Sequence, residues 1–269
     1  MMSDSVGAEP FWCRTWFLNT LSAATFALLV AFQVWWWIGH GGPILWVLLI
    51  VTPIFAFVPS GMIVKYRRRT WLTSWADAHG FAYQRDPGWP IPAWDFPPFS
   101  TNRARRQRIR DGMTGSFGPY PASFLHLTWI NNNKVQASTH YRNVFIMTMP
   151  VALPRLTLGV TLDMSTGPVV QFESAVFNDR FHVQCADPRF AHAIFTPRTI
   201  DALLECSRTS GAVTMSKFEF AGNQLVATST LGNRPGQISE IFTAMRIIID
   251  GVPHFIWREF DPRPNGLNR

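Results

Sequence analysis

Residues that could do chemistry are densest between positions 171 and 204, which read QFESAVFNDRFHVQCADPRFAHAIFTPRTIDALL. Glu173, His182 and Asp187 are of the types that supply an acid, a base and an orienting group in acid–base catalysis. Glu173 and His182 fall on separate predicted segments, however, and no sequence spacing sets the distance between them. An enzyme built around Glu173 and His182 therefore stays open as an alternative.

Local folding rules account for most of this segment without any reaction. The alternation of apolar and polar residues in FHVQCA, residues 181–186, predicts a half-buried strand. Asp187-Pro188 and Thr196-Pro197 each predict a helix start, with a capping side chain followed by proline at the first helical position.

Polar side chains around these helices are expected to anchor a turn. Glu173 would accept a hydrogen bond from the Asn178 region, and Arg180 or Arg189 would pair with Asp179 or Asp187. We therefore interpret the segment as scaffold, with structural roles for Glu173, Asn178, Arg180, Phe181, Asp187, Arg189 and Phe190.

Signatures of catalysis and metal binding are missing from the sequence. It has no G-x-S-x-G, H-E-x-x-H, Walker A or G-x-G-x-x-G motif. His182 and His192 lack a convincing third ligand. Its three cysteines form no C-x-x-C pair, which argues against a disulfide framework or a zinc site and indicates free thiols in a reducing compartment. We expect no catalysis, no cofactor and no metal.

The front of the chain has the composition of a membrane segment. The chain is 15% charged, and residues 16–64 contain no Asp, Glu, Lys or Arg. Two apolar runs, residues 16–38 and 43–64, are each long enough to cross the roughly 30 Å hydrocarbon layer as a helix. GHGG, the short link between them, predicts an antiparallel hairpin, with tryptophans clustered at both ends. The first run is too long for a cleaved signal peptide.

Positive charge predicts the orientation of this hairpin. The link has no Lys or Arg, whereas the exit of the second run reads KYRRR. The positive-inside rule therefore places both termini in the cytoplasm, with the hairpin in the plasma membrane. The whole chain carries +7. Residues 1–64 carry −1, so the remainder carries +8 and would face the anionic lipids of the inner leaflet.

The predicted fold class is α+β: an N-terminal transmembrane hairpin, then a mostly antiparallel β cytoplasmic domain with inserted and C-terminal helices. A helix is expected to end near Gly80, a hairpin to turn at Gly222-Asn223 and a last helix to cover PGQISEIFTAMRIIID. RRQRIRDG is expected to run into a glycine turn at MTGSFGP. The chain is predicted to divide into six parts. They are an N-terminal cytoplasmic segment 1–15, the transmembrane hairpin 16–64, a basic juxtamembrane segment and helix 65–80, a Pro/aromatic-rich connection 81–100, the α+β cytoplasmic domain 101–260 and a flexible tail 261–269.

A basic strip, NRARRQRIRDG, opens the predicted domain. As a strand it would present Arg106, Arg108 and Arg110 on one face. Charge would protect such a strand if it lay at a sheet edge, or the face would bind anions, with inner-leaflet lipids as the preferred partner. Nucleic acid ranks third, since no aromatic residue interleaves the arginines. The residues expected to bind anionic lipid or a partner are Lys65, Arg67, Arg68, Arg69, Arg103, Arg105, Arg106, Arg108 and Arg110.

Short motifs give a resemblance to a family. FES-x-x-FN-x-x-F-x-V, D-x-R-F-A and T-P-R-x-I-D-x-L-L resemble the back half of uncharacterised actinobacterial membrane proteins. In these proteins a two-helix hairpin precedes a cytosolic domain with a Trp-to-Gly element near its start, here Trp75, His79 and Gly80 in WADAHG. The resemblance implies architecture and carries no activity.

Together these observations favour a membrane-anchored cytoplasmic binding or scaffold domain at the inner leaflet, with lipids or an unknown protein as partner. A prophage-type superinfection-exclusion or envelope stress effector is an alternative that only the resemblance suggests.

Overall fold

The computed structural model describes residues 68–100, 104–133, 136–161, 166–231 and 235–261, with four isolated positions before them. The predicted N-terminal segment 1–15 and most of the predicted tail lie outside the described residues, and so does the hairpin apart from those four positions. The chain divides into two compact units, Met1–Trp71 and Leu72–Arg269. The second unit contains every strand that the structure describes.

One sheet of nine strands organises this unit, in the order β1-β2-β3-β4-β9-β8-β5-β7-β6, and each strand pair that the structure describes is antiparallel. The strands are β1 Ala82–Arg85, β2 Ala104–Phe117, β3 Tyr120–Asn133, β4 Gln136–Thr148, β5 Leu156–Gly159, β6 Val169–Val170, β7 His182–Cys185, β8 Ser216–Ala221 and β9 Gln224–Ser229.

Seven helices accompany the sheet in the described part of the chain. They are α1 (residues 68–79), α2 Ala175–Arg180, α3 Pro188–Ile194, α4 Pro197–Thr209, α5 Gly211–Thr214, α6 Pro235–Asp250 and α7 His254–Glu259. The large antiparallel sheet with inserted and C-terminal helices confirms the α+β part of the predicted fold class.

One face of the sheet, the helix face, packs on α6. Phe242 is fully buried at the centre of this contact, and its ring meets Phe145 of β4, Phe81 and Trp75. The Trp75 indole also donates a hydrogen bond to Ser239 of α6 (3.0 Å). Apolar burial is the dominant favourable term in folding, so this aromatic cluster fixes the helices on the sheet.

On the opposite face, strands β2, β3, β4 and β9 contact residues 86–100, which contain neither helix nor strand and which we call the strap. Phe96 of the strap is buried with Ile109, Leu127 and Val144 in a second apolar cluster. A Cβ on Gly112 of β2 would lie 2.6 Å from the Trp89 ring. Glycine therefore allows this tryptophan to lie directly on the strand. The aromatic residues of the strap thus pack it on the sheet.

Several local predictions are confirmed. Helix α1 ends at residue 79, and Gly80 takes the left-handed conformation (φ 71°) typical of a helix stop. Strands β8 and β9 form the hairpin that turns at Gly222 (φ 62°), and α6 covers the helix predicted over residues 235–250, although the short α7 follows it.

Two other local predictions have different outcomes. The glycine turn predicted in MTGSFGP is confirmed at the last two residues of that segment, Gly118-Pro119, and the return strand begins at Tyr120. Strand β2 continues through Gly112 and Gly115 to Phe117, and Gly112 serves the contact with the strap. The half-buried strand predicted over residues 181–186 is wrong for β7, because Val183, Gln184 and Cys185 are all buried and both faces of the strand are therefore covered. Its Gln184 is 3% exposed and donates to the Gly167 carbonyl (3.0 Å).

Candidate functional site

Three strands extend past their neighbours and form what we call the arm: residues 104–110 of β2, 127–133 of β3 and 136–142 of β4. Strand β1 pairs with β2 only between Asp111 and Thr114, and β9 pairs with β4 only from Asn143 onward. Seven residues of an antiparallel strand span about 24 Å. The arm is thus a long ribbon that neither β1 nor β9 flanks.

Positive charge dominates the arm. Its described residues include five arginines and no Asp or Glu, and the arginines are Arg105, Arg106, Arg108, Arg110 and Arg142. The side chains of Arg108 and Arg110 are more than half exposed and both reach Oδ1 of Asp86, at 3.4 and 3.5 Å. Exposed ion pairs contribute only about 0–1 kcal/mol, so one shared carboxylate leaves both guanidiniums able to bind another anion.

The basic edge of the arm is irregular. Register shifts separate Arg105 from Arg108 and Ile109 from Asp111, and Arg106 takes a left-handed conformation (φ 54°). Such bulges bend a strand and redirect its side chains. Arg106, Arg108 and Arg110 are all exposed, while Ile109 between them is buried.

Aromatic residues on the neighbouring strands of the arm could not be found by inspecting the basic strip alone. The row across the helix face reads Arg108, Thr128 and Tyr141, with Tyr141 47% exposed. On the strap face Trp129 stacks on His140, with ring centroids 5.7 Å apart. The registers of β3 and β4 therefore put two aromatic residues on the same ribbon as the arginines, with Thr128 between Arg108 and Tyr141.

The other predicted basic residues lie elsewhere. Arg68 and Arg69 are half-buried residues of α1 in the first unit. Lys65, Arg67 and Arg103 lie outside the described residues. Of the predicted binding set, the arm therefore holds four members: Arg105, Arg106, Arg108 and Arg110.

A row of buried polar residues crosses the sheet where the arm begins. Asp111, His126 and Asn143 are cross-strand neighbours, and each is no more than 6% exposed. His126 Nδ1 lies 2.8 Å from Asn143 Oδ1, and Asn143 Nδ2 donates to the Leu231 carbonyl (2.7 Å). Asp111 accepts from the Tyr83 hydroxyl (2.8 Å). Only His126, between Leu125 and Leu127, stands among apolar sequence neighbours and could have signalled this row. Its buried groups have hydrogen-bond partners in side chains and backbone, as a structural row requires.

A second buried polar group joins the strap to the sheet. Glu219 of β8 is 2% exposed and receives both Nε (2.8 Å) and Nη2 (2.7 Å) of Arg155 on Oε1, while Lys217 Nζ lies 3.1 Å from Oε2. Burial raises the pKa of Glu219, and the two cations oppose this shift. Arg155 also reaches Asp95 of the strap (3.1 Å).

The 171–204 segment is folded around backbone hydrogen bonds. Asn178 holds the Phe172 backbone at both its N–H and its C=O (3.1 and 2.7 Å), so its partner is Phe172 and not Glu173, which is exposed. Arg180 donates to Ser207 Oγ (2.8 Å) in place of the predicted aspartate. The first outcome follows from the backbone geometry, because a turn of helix α2 brings Asn178 back over Phe172.

The remaining residues of this segment start helices or fill the core. Asp187 caps α3 through the Arg189 N–H (2.9 Å), with Pro188 at its start, and Thr196 caps α4. Phe181 and Phe190 are buried. These placements are those of a scaffold.

The alternative pair Glu173 and His182 is not joined by a hydrogen bond in the described residues. Glu173 is exposed in the bend before α2, and His182 is half-buried opposite Gly159. Burial raises the pKa of the Cys185 thiol, which is fully buried and disfavoured as a nucleophile.

Neither a metal cluster nor a membrane span occurs within the described residues. No group of three or more His, Cys, Asp or Glu side chains in this part of the chain is placed to hold a metal ion. No helix among these residues has both the length and the apolar character needed to cross a membrane.

Comparisons with known proteins give one similar structure. No family model matches the chain, and no curated protein matches it. The chain is similar to the crystal structure of the mycobacterial trehalose monomycolate transport factor A, TtfA, at 14% identity and a TM-score of 0.44, over 75% of this chain and 98% of that one. A likeness at this level carries no inference about function, which must come from the chain's own residues.

Proposed function

We propose that this protein is a non-catalytic binding protein whose arm contacts the anionic lipids of the inner leaflet. The single observation that supports this is the arm itself: five arginines, no carboxylate, an exposed tyrosine and a partly buried tryptophan on one ribbon. Each basic residue near an anionic membrane surface gains about 1 kcal/mol. Arginine also suits phosphate, because its planar fork forms paired hydrogen bonds with phosphate oxygens.

Tyr141 fits the same partner. Tyrosine and tryptophan favour the lipid–water interface, where the ring meets acyl chains and the polar atom stays hydrated. Tyr141 lies in the row of Arg108, and Trp129 lies on the opposite face of the arm. The predicted membrane hairpin would tether the same chain to the membrane and so raise the effective concentration of the arm there.

The test uses the full chain in lipid nanodiscs of phosphatidylcholine alone or mixed with phosphatidylglycerol. Hydrogen exchange of the arm is measured in both. We expect slower exchange with phosphatidylglycerol, and faster exchange again as salt screens the contact. The double variant Arg106→Gln with Arg108→Gln removes two positive charges. It should cost about 2 kcal/mol of membrane-binding free energy and so weaken binding of the arm roughly 30-fold.

The matched control removes two exposed arginines elsewhere, with Arg189→Gln and Arg198→Gln on helices α3 and α4. This pair should leave protection of the arm unchanged. Equal exchange in both membranes would contradict the proposal, as would an equal effect of the control pair. Protection by a single-stranded oligonucleotide without protection by phosphatidylglycerol would point to nucleic acid instead. The phage-exclusion or envelope stress role stays a prediction, which a phage challenge of cells with and without the gene would test.

A further inference from the structure

The two long edges of the arm differ in how they are protected. The β2 edge has two register shifts, a left-handed residue at Arg106 and a series of arginines. Bulges and charge are the devices by which proteins prevent another strand from pairing with an exposed edge. This edge is therefore closed to a further strand.

The β4 edge has neither a register shift nor a left-handed residue, and its one charged residue is Arg142. Residues 136–142 pair with β3 residue for residue, without a shift, and β9 ends at Ser229 opposite Asn143. On their other side these seven residues have no strand partner among the described elements. They include no Lys, Asp, Glu or Pro, and Ser138, Thr139, His140 and Tyr141 are exposed.

We propose that this β4 edge pairs antiparallel with the same edge of a second copy, which joins two arms into one six-stranded sheet. The edge has seven residues, so a two-fold axis that uses all of it passes through Thr139. The two copies of Thr139 then face each other, Ser138 faces His140, Ala137 faces Tyr141 and Gln136 faces Arg142. Each is a compatible pair, and no like charges are opposed, as an isologous interface requires.

The positive charge of the arms does not oppose this pairing. Arg142 of one copy lies six residues along the strand direction from Arg142 of the other, or about 20 Å. The β2 arginines lie five strand spacings from those of the other copy, or about 24 Å. Both separations exceed the Debye length of about 8 Å at physiological salt, so the repulsion is largely screened.

Cysteine crosslinking of the full chain locates the two-fold axis. Paired residues of antiparallel strands have Cβ atoms about 4.5–5.5 Å apart, close to the separation that a disulfide needs. Thr139→Cys should therefore form a crosslinked dimer on oxidation. Cysteines at Ala137 or Tyr141 should not, because each would lie four residues from its own copy. The wild-type chain, with its native cysteines, gives the background.

A charge introduced at the two-fold axis gives the second test. Thr139→Lys sets two ammonium groups opposite each other, so the purified chain in detergent should change from dimer to monomer mass by light scattering. The matched control is Thr114→Lys, at an exposed threonine of β2 whose strand is already paired on both sides, and it should stay dimeric. A monomeric wild-type chain overturns the proposal, and so does a Thr139→Lys variant that stays dimeric. Lipid binding is not involved in either result, so failure here leaves the proposed function standing.

Discussion

Replacing Arg155 by methionine tests whether the buried carboxylate of Glu219 depends on this arginine. The change removes both hydrogen bonds to Glu219 Oε1 and leaves only Lys217 beside a side chain that is 2% exposed. Breaking a fully buried ion pair costs about 3–5 kcal/mol. The Arg155 side chain is 27% exposed and Lys217 remains, so we expect a loss of about 2–3 kcal/mol in the free energy of unfolding.

Thermal unfolding of the full chain in detergent, followed by tryptophan fluorescence, measures this loss. For a domain of this size about 2–3 kcal/mol corresponds to a Tm lower by about 4–12 °C. The double variant Arg155→Met with Glu219→Gln removes the buried charge as well and should recover most of the loss. Arg208→Met breaks an ion pair with Glu205 in which both side chains are mostly exposed, and it should cost less than about 1 kcal/mol.

The pH dependence of this stability loss tests the ionisation of Glu219 independently. Burial raises the folded-state pKa of Glu219 above 4.5. Its contribution to stability is then complete below pH 4.5 and is lost as the pH rises through the folded pKa. The penalty of Arg155→Met should therefore shrink as the pH falls toward 4.5. A variant as stable as the wild type, or a double variant no better than the single one, would refute this reasoning.

Close contacts at Tyr120 and Gly112 give two further predictions. Burial and the hydrogen bond to Asp250 raise the pKa of Tyr120 to about 12. Tyr120 should therefore stay protonated through pH 10, and its contribution to the free energy of unfolding should be lost as the pH approaches 12. The difference in phenolate absorbance between the wild type and Tyr120→Phe measures its titration. Gly112→Ala puts a methyl group 2.6 Å from the Trp89 ring, so it should cost about 1–3 kcal/mol and shift the tryptophan emission to the red. Unchanged emission and stability would show that the strap does not rest on β2.

Features set by neighbouring residues could be predicted from the sequence. The caps at Asp187 and Thr196, the stop at Gly80 and the turn at Gly222 each depend on a few consecutive residues. The role of Gly112 could not be predicted from the sequence, because this glycine makes room for the ring of Trp89, which is 23 positions earlier in the chain. Sequence patterns near a glycine do not distinguish a turn from a close contact.

The arm shows why the candidate site was only half predictable. The arginines are close together in one strand, so the sequence shows them directly. Tyr141 and Trp129 join them only through the registers of β2, β3 and β4, which depend on the bulges in β2. In the same way Arg155 and Glu219, 64 residues apart, meet only because β5 pairs with β8.

The order of strands in the sheet also has a consequence during synthesis. Strands β1 to β4 pair with their predecessors and can fold as they leave the ribosome, but β4 then waits for β9. Between Thr148 and Gln224 lie 75 residues, which take about 4–15 s to translate. During that interval every nascent chain displays an incomplete sheet margin. Nascent chains of this protein should therefore need a holding chaperone more than a chain of 269 residues usually does.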